Sequence, residues 1–431
     1  MKRSRSNPVA NGVNGVHHRT AAFSLPELEQ LAALIAEPAP SKTTVIRWMQ
    51  RHLSKNGVLL ADPWRTPEAA LLLSSFPGGW DALADAAPRR VAGVAKIAAR
   101  QAVGNGFLEG AAPDDAARLR LLKSFDTSAG VEFRPLGRRL LGAPADDPVP
   151  AAKVPGYVDE ESRSAVLRRG WLPDAASLAI DYRQFDCRLA LHLAGERIVS
   201  GPFVTTVAKN GKVLEPVGNW ETICPSADND GEYLELSIRL ADSIFLDRHL
   251  FIARAAPIVW IVDVIRGDEP AQWRWQSRWR GAAATGLRGE ATHRGQRLLG
   301  VKTPTALLPV SAPPDPFALG GLRMSLKTGA FEFVQEDKAR RAVIALAFVW
   351  SEQGPLAINP WRKLTITQDG RLTPTEEAFA FRVPSAGRQC VFYRSLEHER
   401  RHAFLGCQTF DETIIGEFDK DGDVFPWMRI E

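Results

Sequence analysis

The most chemically distinctive run in the chain is Trp273-Arg274-Trp275-Gln276-Ser277-Arg278-Trp279-Arg280. As a strand it places Trp273, Trp275 and Trp279 on one face and Arg274, Gln276, Arg278 and Arg280 on the other. Either face suits an acidic glycan: indole rings stack on sugar rings, and guanidinium forks pair with carboxylate or sulfate. One face must pack a core, and the expected arrangement buries the tryptophans and displays the arginines. Side chains on one strand face repeat roughly every 6.5–7 Å, so such a row can engage successive acidic groups of one polymer or remain a solvated face. Asp263 lies inside the apolar run Ile258–Ile265, where a lone charge is costly, and Arg248 is its expected partner.

Other charged clusters have plainer readings. Asp419-Lys420-Asp421-Gly422-Asp423 has alternating carboxylates but lacks the twelfth-position glutamate of a calcium loop, so a hairpin turn is expected. Asp228-Asn229-Asp230-Gly231 reads the same way. Arg47, Arg51 and Lys55 share one helix face opposite Val45, Ile46, Met49 and Leu53, which describes a solvated stripe and no specific nucleic-acid reader. The cysteines, Cys187, Cys224, Cys390 and Cys407, form no C-x-x-C pair, so reduced thiols are expected, with neither disulfide framework nor metal spacing. No Walker loop, G-x-S-x-G, H-E-x-x-H or strand-linked G-x-G-x-x-G is present, and nucleotide, serine-hydrolase and zincin chemistry lack support.

The elements that must position these residues follow from periodicity. With 431 residues, 45% hydrophobic and 24% charged, the chain is neither collagen-like nor disordered as a whole, and it allows two or three domains. A net charge of +4 leaves any polyanion site to a local patch. Residues 1–22 are expected to form a disordered tail that includes His17 and His18; it has no apolar signal-peptide core. Helical spacing starts after Ser24-Leu25-Pro26-Glu27, an apparent cap, and recurs at Lys42–Ser54, Ala69–Phe76, Trp80–Val103 and Ala116–Phe125. Residues 23–141 are therefore expected to be an α-helical domain, and the Pro- and Ala-rich stretch 142–157 a linker. From 158 to 431 the period is two, with strands expected at Tyr233–Leu240, Arg248–Arg254, Ile258–Ile265, Arg341–Trp350, Ala378–Val383 and Gln389–Arg394. The expected fold is α+β: a small N-terminal helical domain followed by a large antiparallel β-sandwich.

Within that sandwich, Ser164–Phe203 (SAVLRRGWLPDAASLAIDYRQFDCRLALHLAGERIVSGPF) resembles the opening of the sandwich domain in heparinase II/III-type polysaccharide lyases. There a strand leads to a His-x-His-x-Asp segment, an apolar strand, a Gly turn and an Asp-Pro-Gly. Gly231–Gly267 resembles the strand pair that follows, and the likeness spans roughly Ala165 to Gly281. It implies uronic-acid glycans as substrates, cleavage by elimination, and a sandwich packed against an incomplete α/α toroid.

The departures fall on the chemistry. With Asp186 aligned to the motif aspartate, Tyr182 and Gln184 stand where the family has histidines, and Gly201 stands where it has a metal-binding carboxylate. Gln and Gly cannot supply a zinc donor set, so no metal or other cofactor is expected. The helical part is shorter than the family's toroid and, with tyrosines only at Tyr157, Tyr182, Tyr233 and Tyr393, contains no catalytic tyrosine. Elimination needs a base, an acid and donors that neutralise the uronate. By resemblance Tyr182 and His249 are the candidate catalytic pair, and Arg183 and Gln184 join Arg274, Arg278 and Arg280 as candidate substrate-binding residues. The competing expectation is that each polar tip simply finds a local bond. The expected function is a heparinase-like protein directed at acidic polysaccharide or oligosaccharide, degenerate in catalysis. The alternatives are an active lyase with a site rebuilt around Tyr182 and His249, or a non-enzymatic scaffold. A cytoplasmic location without membrane attachment completes the expectation.

Overall fold

A computed structural model describes residues 25–74, 76, 79–102, 155–171, 174–281, 287–292, 295–312, 321–327, 329–356, 360–397 and 400–431. The expected tail, the helix at Ala116–Phe125 and nearly all of the 142–157 linker lie outside them.

Among the described residues the N-terminal part has five α-helices: α1 (Pro26–Ala36), α2 (Lys42–His52), α3 (Thr66–Ser74), α4 (Gly79–Ala84) and α5 (Pro88–Ala102). Proline, with its fixed φ and missing N–H, opens α1, and Leu25 rather than the expected Ser24 occupies its N-cap. Ser41 caps α2 through the Thr44 amide. Leu31, Val45, Met49, Leu73, Val91 and Val94 meet in one buried cluster, while Arg47 and Arg51 remain on the solvated face. Contact between the α2–α3 connection and α5 is close enough that a Cβ on Gly57, held at φ +88°, would lie 2.2 Å from the Val94 amide nitrogen.

The rest is antiparallel sheet. Two long strands, Ile258–Gly281 and Ala330–Trp350, pair along the middle of a fifteen-stranded sheet. The first half of Ile258–Gly281 pairs on its other side with Phe245–Ala253, and its second half with Glu196–Lys209. Sequence alone ends this strand near Ile265, because Gly267 and Pro270 follow. In the structure a register shift between Arg266 and Ala271 absorbs them, and proline at such a bulge forfeits no ladder bond.

The sheet curls around a core that includes Leu189, Leu191, Leu236, Leu250, Trp275 and Phe348. Behind its first half lies a five-stranded sheet, joined through Trp260, Val262, Phe379, Phe392 and Trp427. The half covered on both faces is the continuous apolar run Ile258–Ile265; the half covered on one face alternates, as Trp273–Arg280 does. A four-stranded sheet packs outside the five-stranded one through Phe404, Tyr393 and Ile414. The helices sit on the outer face of the sheet's opening strands, where Val58, Trp64 and Ile97 meet Tyr157, Val166, Ala179 and Ala190.

Both expected Asp-Gly hairpins form. Asp419 accepts the Asp421 and Asp423 amides at 2.9 Å, and Asp228 accepts those of Asp230 and Gly231 at 2.8 and 3.0 Å. Among the described residues no helix is long and apolar enough to cross a membrane.

Candidate functional site

Burial alternates residue by residue from Ala271 to Arg280. Trp273, Trp275 and Trp279 are inside, and each indole N–H is satisfied there: by the Ala339 carbonyl, the Asp263 carboxylate and the Ser277 hydroxyl. Packed in this way, the tryptophans offer no platform to a sugar. Arg274 and Arg278 project outward, 53% and 65% exposed, with Gln276 and Arg280 on the same face.

The row is not purely cationic. On the neighbouring strand Glu336 stands opposite Arg274 and Glu332 opposite Arg278, with N–O separations of 2.7 and 3.7 Å. Arg323, on the next strand, reaches the same Glu336 at 3.6 Å. These carboxylates were legible in Phe331-Glu332-Phe333-Val334-Gln335-Glu336, whose period of two continues the long strand beyond its expected start at Arg341. Arg280 has no carboxylate partner among the described residues. Beside it is a cleft of about 480 Å³ lined by Pro202, Val204, Arg278, Gly281 and Gly329.

Register shows what borders this face. Arg278 is opposite Val204, and Pro202, two residues earlier on that strand, is opposite Arg188. Paired residues point the same way, so Arg188 shares the arginine face two strands away. There its guanidinium lies 4.5 Å from the Trp64 ring and 3.5 Å from Asp62. The helical part thus covers one flank of the sheet face that carries the row.

Tyr182 and His249 are not brought together. The Tyr182 side chain belongs to the core inside the curled sheet, and its hydroxyl is 2.9 Å from that of Thr222. Burial pushes its pKa up to about 12, the wrong direction for a base near neutrality. Thr222 is opposite Leu236, whereas His249 is opposite Glu235, the next residue, so the two groups occupy opposite faces of one sheet. His249 is 1% exposed, and its Nδ1 is 2.7 Å from the Tyr233 hydroxyl. That hydroxyl donates to Glu235 at 3.0 Å, and Arg394 of the five-stranded sheet donates to Glu235 at 2.8 Å. Burial, reinforced by Arg394 and Arg266, holds the His249 ring well below its ordinary pKa. This network ties two sheets together, and its Tyr233, Glu235 and His249 are all under 5% exposed.

Arg183 is likewise engaged. It pairs with Asp181 at 2.7 Å and donates to the carbonyls of Leu60, at 2.8 Å, and Ala61, which makes it a tether for the helical part. Gln184 is exposed. The positions aligned with the family's zinc ligands do not fit a metal: Gly201 offers no donor, and the Asp186 carboxylate accepts the Thr205 amide at 3.2 Å. Among the described residues no three His, Cys, Asp or Glu side chains gather around a point that would hold an ion.

The expected Arg248–Asp263 pair is present and fully buried. Two guanidinium nitrogens reach the two carboxylate oxygens at 2.8 Å, Thr205 and Trp275 satisfy remaining positions, and the guanidinium lies 3.8 Å from the Phe203 ring centre.

No model of a protein family matches the sequence, and no curated protein matches it. Solved structures do. Heparan sulfate lyase HepC from Pedobacter heparinus aligns at a TM-score of 0.56 and 11% identity, over 86% of this chain and 66% of that one. The heparinase III BT4657 gene product aligns at 0.55 and 10%, over 86% and 64%, and a further heparinase III at 0.54 and 12%, over 86% and 67%. The chain thus spans about two thirds of the length of these structures. At such identities the likeness is one of fold: a mostly antiparallel, heparinase-like architecture with few helices, distantly related in structure to heparinase III.

Proposed function

We propose that this protein binds acidic polysaccharide or oligosaccharide on the arginine face and does not cleave it. The observation that carries this reading is the outward row of Arg274, Arg278 and Arg280 beside the docked helices, on a fold shared with proteins described as heparan sulfate lyases. Guanidinium forks at alternate strand positions suit carboxylate and sulfate. The absence of turnover is supported by the two candidate catalytic groups, Tyr182 and His249, being buried on opposite sides of a sheet and committed to Thr222 and Tyr233.

Exposed contacts of this kind contribute only about 0.5–1 kcal/mol each, so binding should be weak and salt-sensitive. Replacing Arg274, Arg278 and Arg280 together by serine is expected to abolish retention on immobilised heparin with the melting temperature nearly unchanged. A triple variant that elutes at the parent's salt concentration refutes the assignment. Absorbance near the ultraviolet band of an unsaturated uronate is expected to stay flat with heparan sulfate. Turnover lost on Tyr182→Phe would instead establish an active lyase.

A further inference from the structure

We infer that this face receives an acidic saccharide through one anionic group at a time, at Arg280, and does not lay an extended polyanion along the whole row. The inference rests on the acidic-saccharide reading and specifies its ligand. Arg274 and Arg278 already face Glu336 and Glu332, and Arg323 shares Glu336. A polymer with regularly spaced negative charges would meet those two carboxylates at the same spacing as the arginines, and like charges oppose it.

Arg280 differs in three respects. No carboxylate pairs with it among the described residues. Its aliphatic stem packs over Gly201, where a Cβ would meet the Arg280 Cδ at 3.4 Å, an ordinary van der Waals contact. Its flank is the 480 Å³ cleft, whose walls apart from Arg278 and Arg280 itself are apolar or backbone, with Pro202, Val204 (38% exposed), Gly281 and Gly329 among them. That volume falls within the roughly 300–1,000 Å³ usual for small-ligand sites. The chemistry that fits is a pyranose whose C–H face lies on Val204 and Pro202 while one carboxylate or sulfate meets the guanidinium fork. A mono- or disaccharide end fits better than a chain interior.

The test is titration of the full chain, with Val204 methyl and arginine Nε–H resonances followed by NMR. The probes are glucuronic acid, glucose 6-sulfate, glucose and heparin fragments of increasing length. Both acidic sugars should shift Val204 and Arg280, and the two arms show whether carboxylate or sulfate is preferred; glucose should shift neither. Arg280→Gln should weaken binding about fivefold, the upper end for an exposed ionic contact, and Arg274→Gln less than about twofold. Arg280→Lys, with charge but no fork, should fall between them. Glu332→Gln/Glu336→Gln should free the row and make long heparin bind more tightly than the parent does. If Arg274→Gln costs as much as Arg280→Gln, or parent affinity climbs steadily with fragment length, the row is a polymer track and this inference fails while the acidic-saccharide reading stands. If no acidic sugar or heparin fragment shifts either residue, that underlying reading fails.

Discussion

At the scale of single residues, the interior holds several ionisable groups that fold and stability depend on. Arg248 and Asp263 are both under 3% exposed and share two hydrogen bonds. Removing one partner leaves the other charge buried, which in comparable sites costs about 3–5 kcal/mol. Arg248→Met should lower stability by about that much in urea unfolding, and adding Asp263→Leu should restore much of it; a single variant within 1 kcal/mol of the parent would contradict the account. Two buried histidines weaken the fold in acid. His192 is driven down to about 3 and His249 well below its ordinary value, in both cases first by burial. Each stays neutral in the fold where the unfolded chain takes a proton. Stability is therefore fully present above about pH 6.5 and is lost as pH falls below it, by up to ~1.4 kcal/mol per pH unit for each ring. For His192 the window extends down to about pH 3. His249→Gln should flatten the fall in urea midpoint between pH 7 and 5; an unchanged slope would show that His249 does not carry it. The Arg248–Asp263 pair was legible because a charge inside an apolar run needs a partner. The separation of Tyr182 from His249 was not, because sequence spacing does not show which sheet face either group occupies.

At the scale of elements, period two located the strands and the alternating Trp/Arg octet. It could not join Ile258–Ile265 to Trp273–Arg280 across Gly267 and Pro270, because a bulge conceals itself as a break. The helices are held to the sheet by a small apolar patch and a few polar ties. Arg183 reaches the carbonyls of Leu60 and Ala61, and Asp159 accepts from Ser54 and Asn56 at 3.0 and 2.9 Å. Val166→Asp, which puts an unpaired charge into that patch, should release α1–α5 from the sheet with little effect on the sandwich. Hydrogen exchange should then accelerate in residues 26–102 and remain slow in Phe245–Ala253 and Ile258–Gly281. Equal acceleration in both would show that the two parts unfold as one unit.

At the scale of the molecule, a heparinase-like sheet presents one face partly covered by helices and partly open, and the arginines occupy the open part. Composition carried no hint of this, since a net charge of +4 over 431 residues hides a local row. Sequence reading found the arginines through their alternation. It missed Glu332 and Glu336, which temper the row, and Arg188 with Trp64 at its rim, because cross-strand register and domain docking bring residues distant in sequence side by side. The measurement that bears most directly on the central claim is mapping a bound heparan sulfate fragment by chemical-shift perturbation on the full chain. The account predicts changes confined to Pro202–Val204 and Arg274–Arg280, fading toward Arg188 and Trp64, and absent from the variant with Arg274, Arg278 and Arg280 replaced by serine. Perturbations that centre on Tyr182 or on the solvated Arg47 and Arg51 stripe of α2, and that persist in that variant, would contradict it.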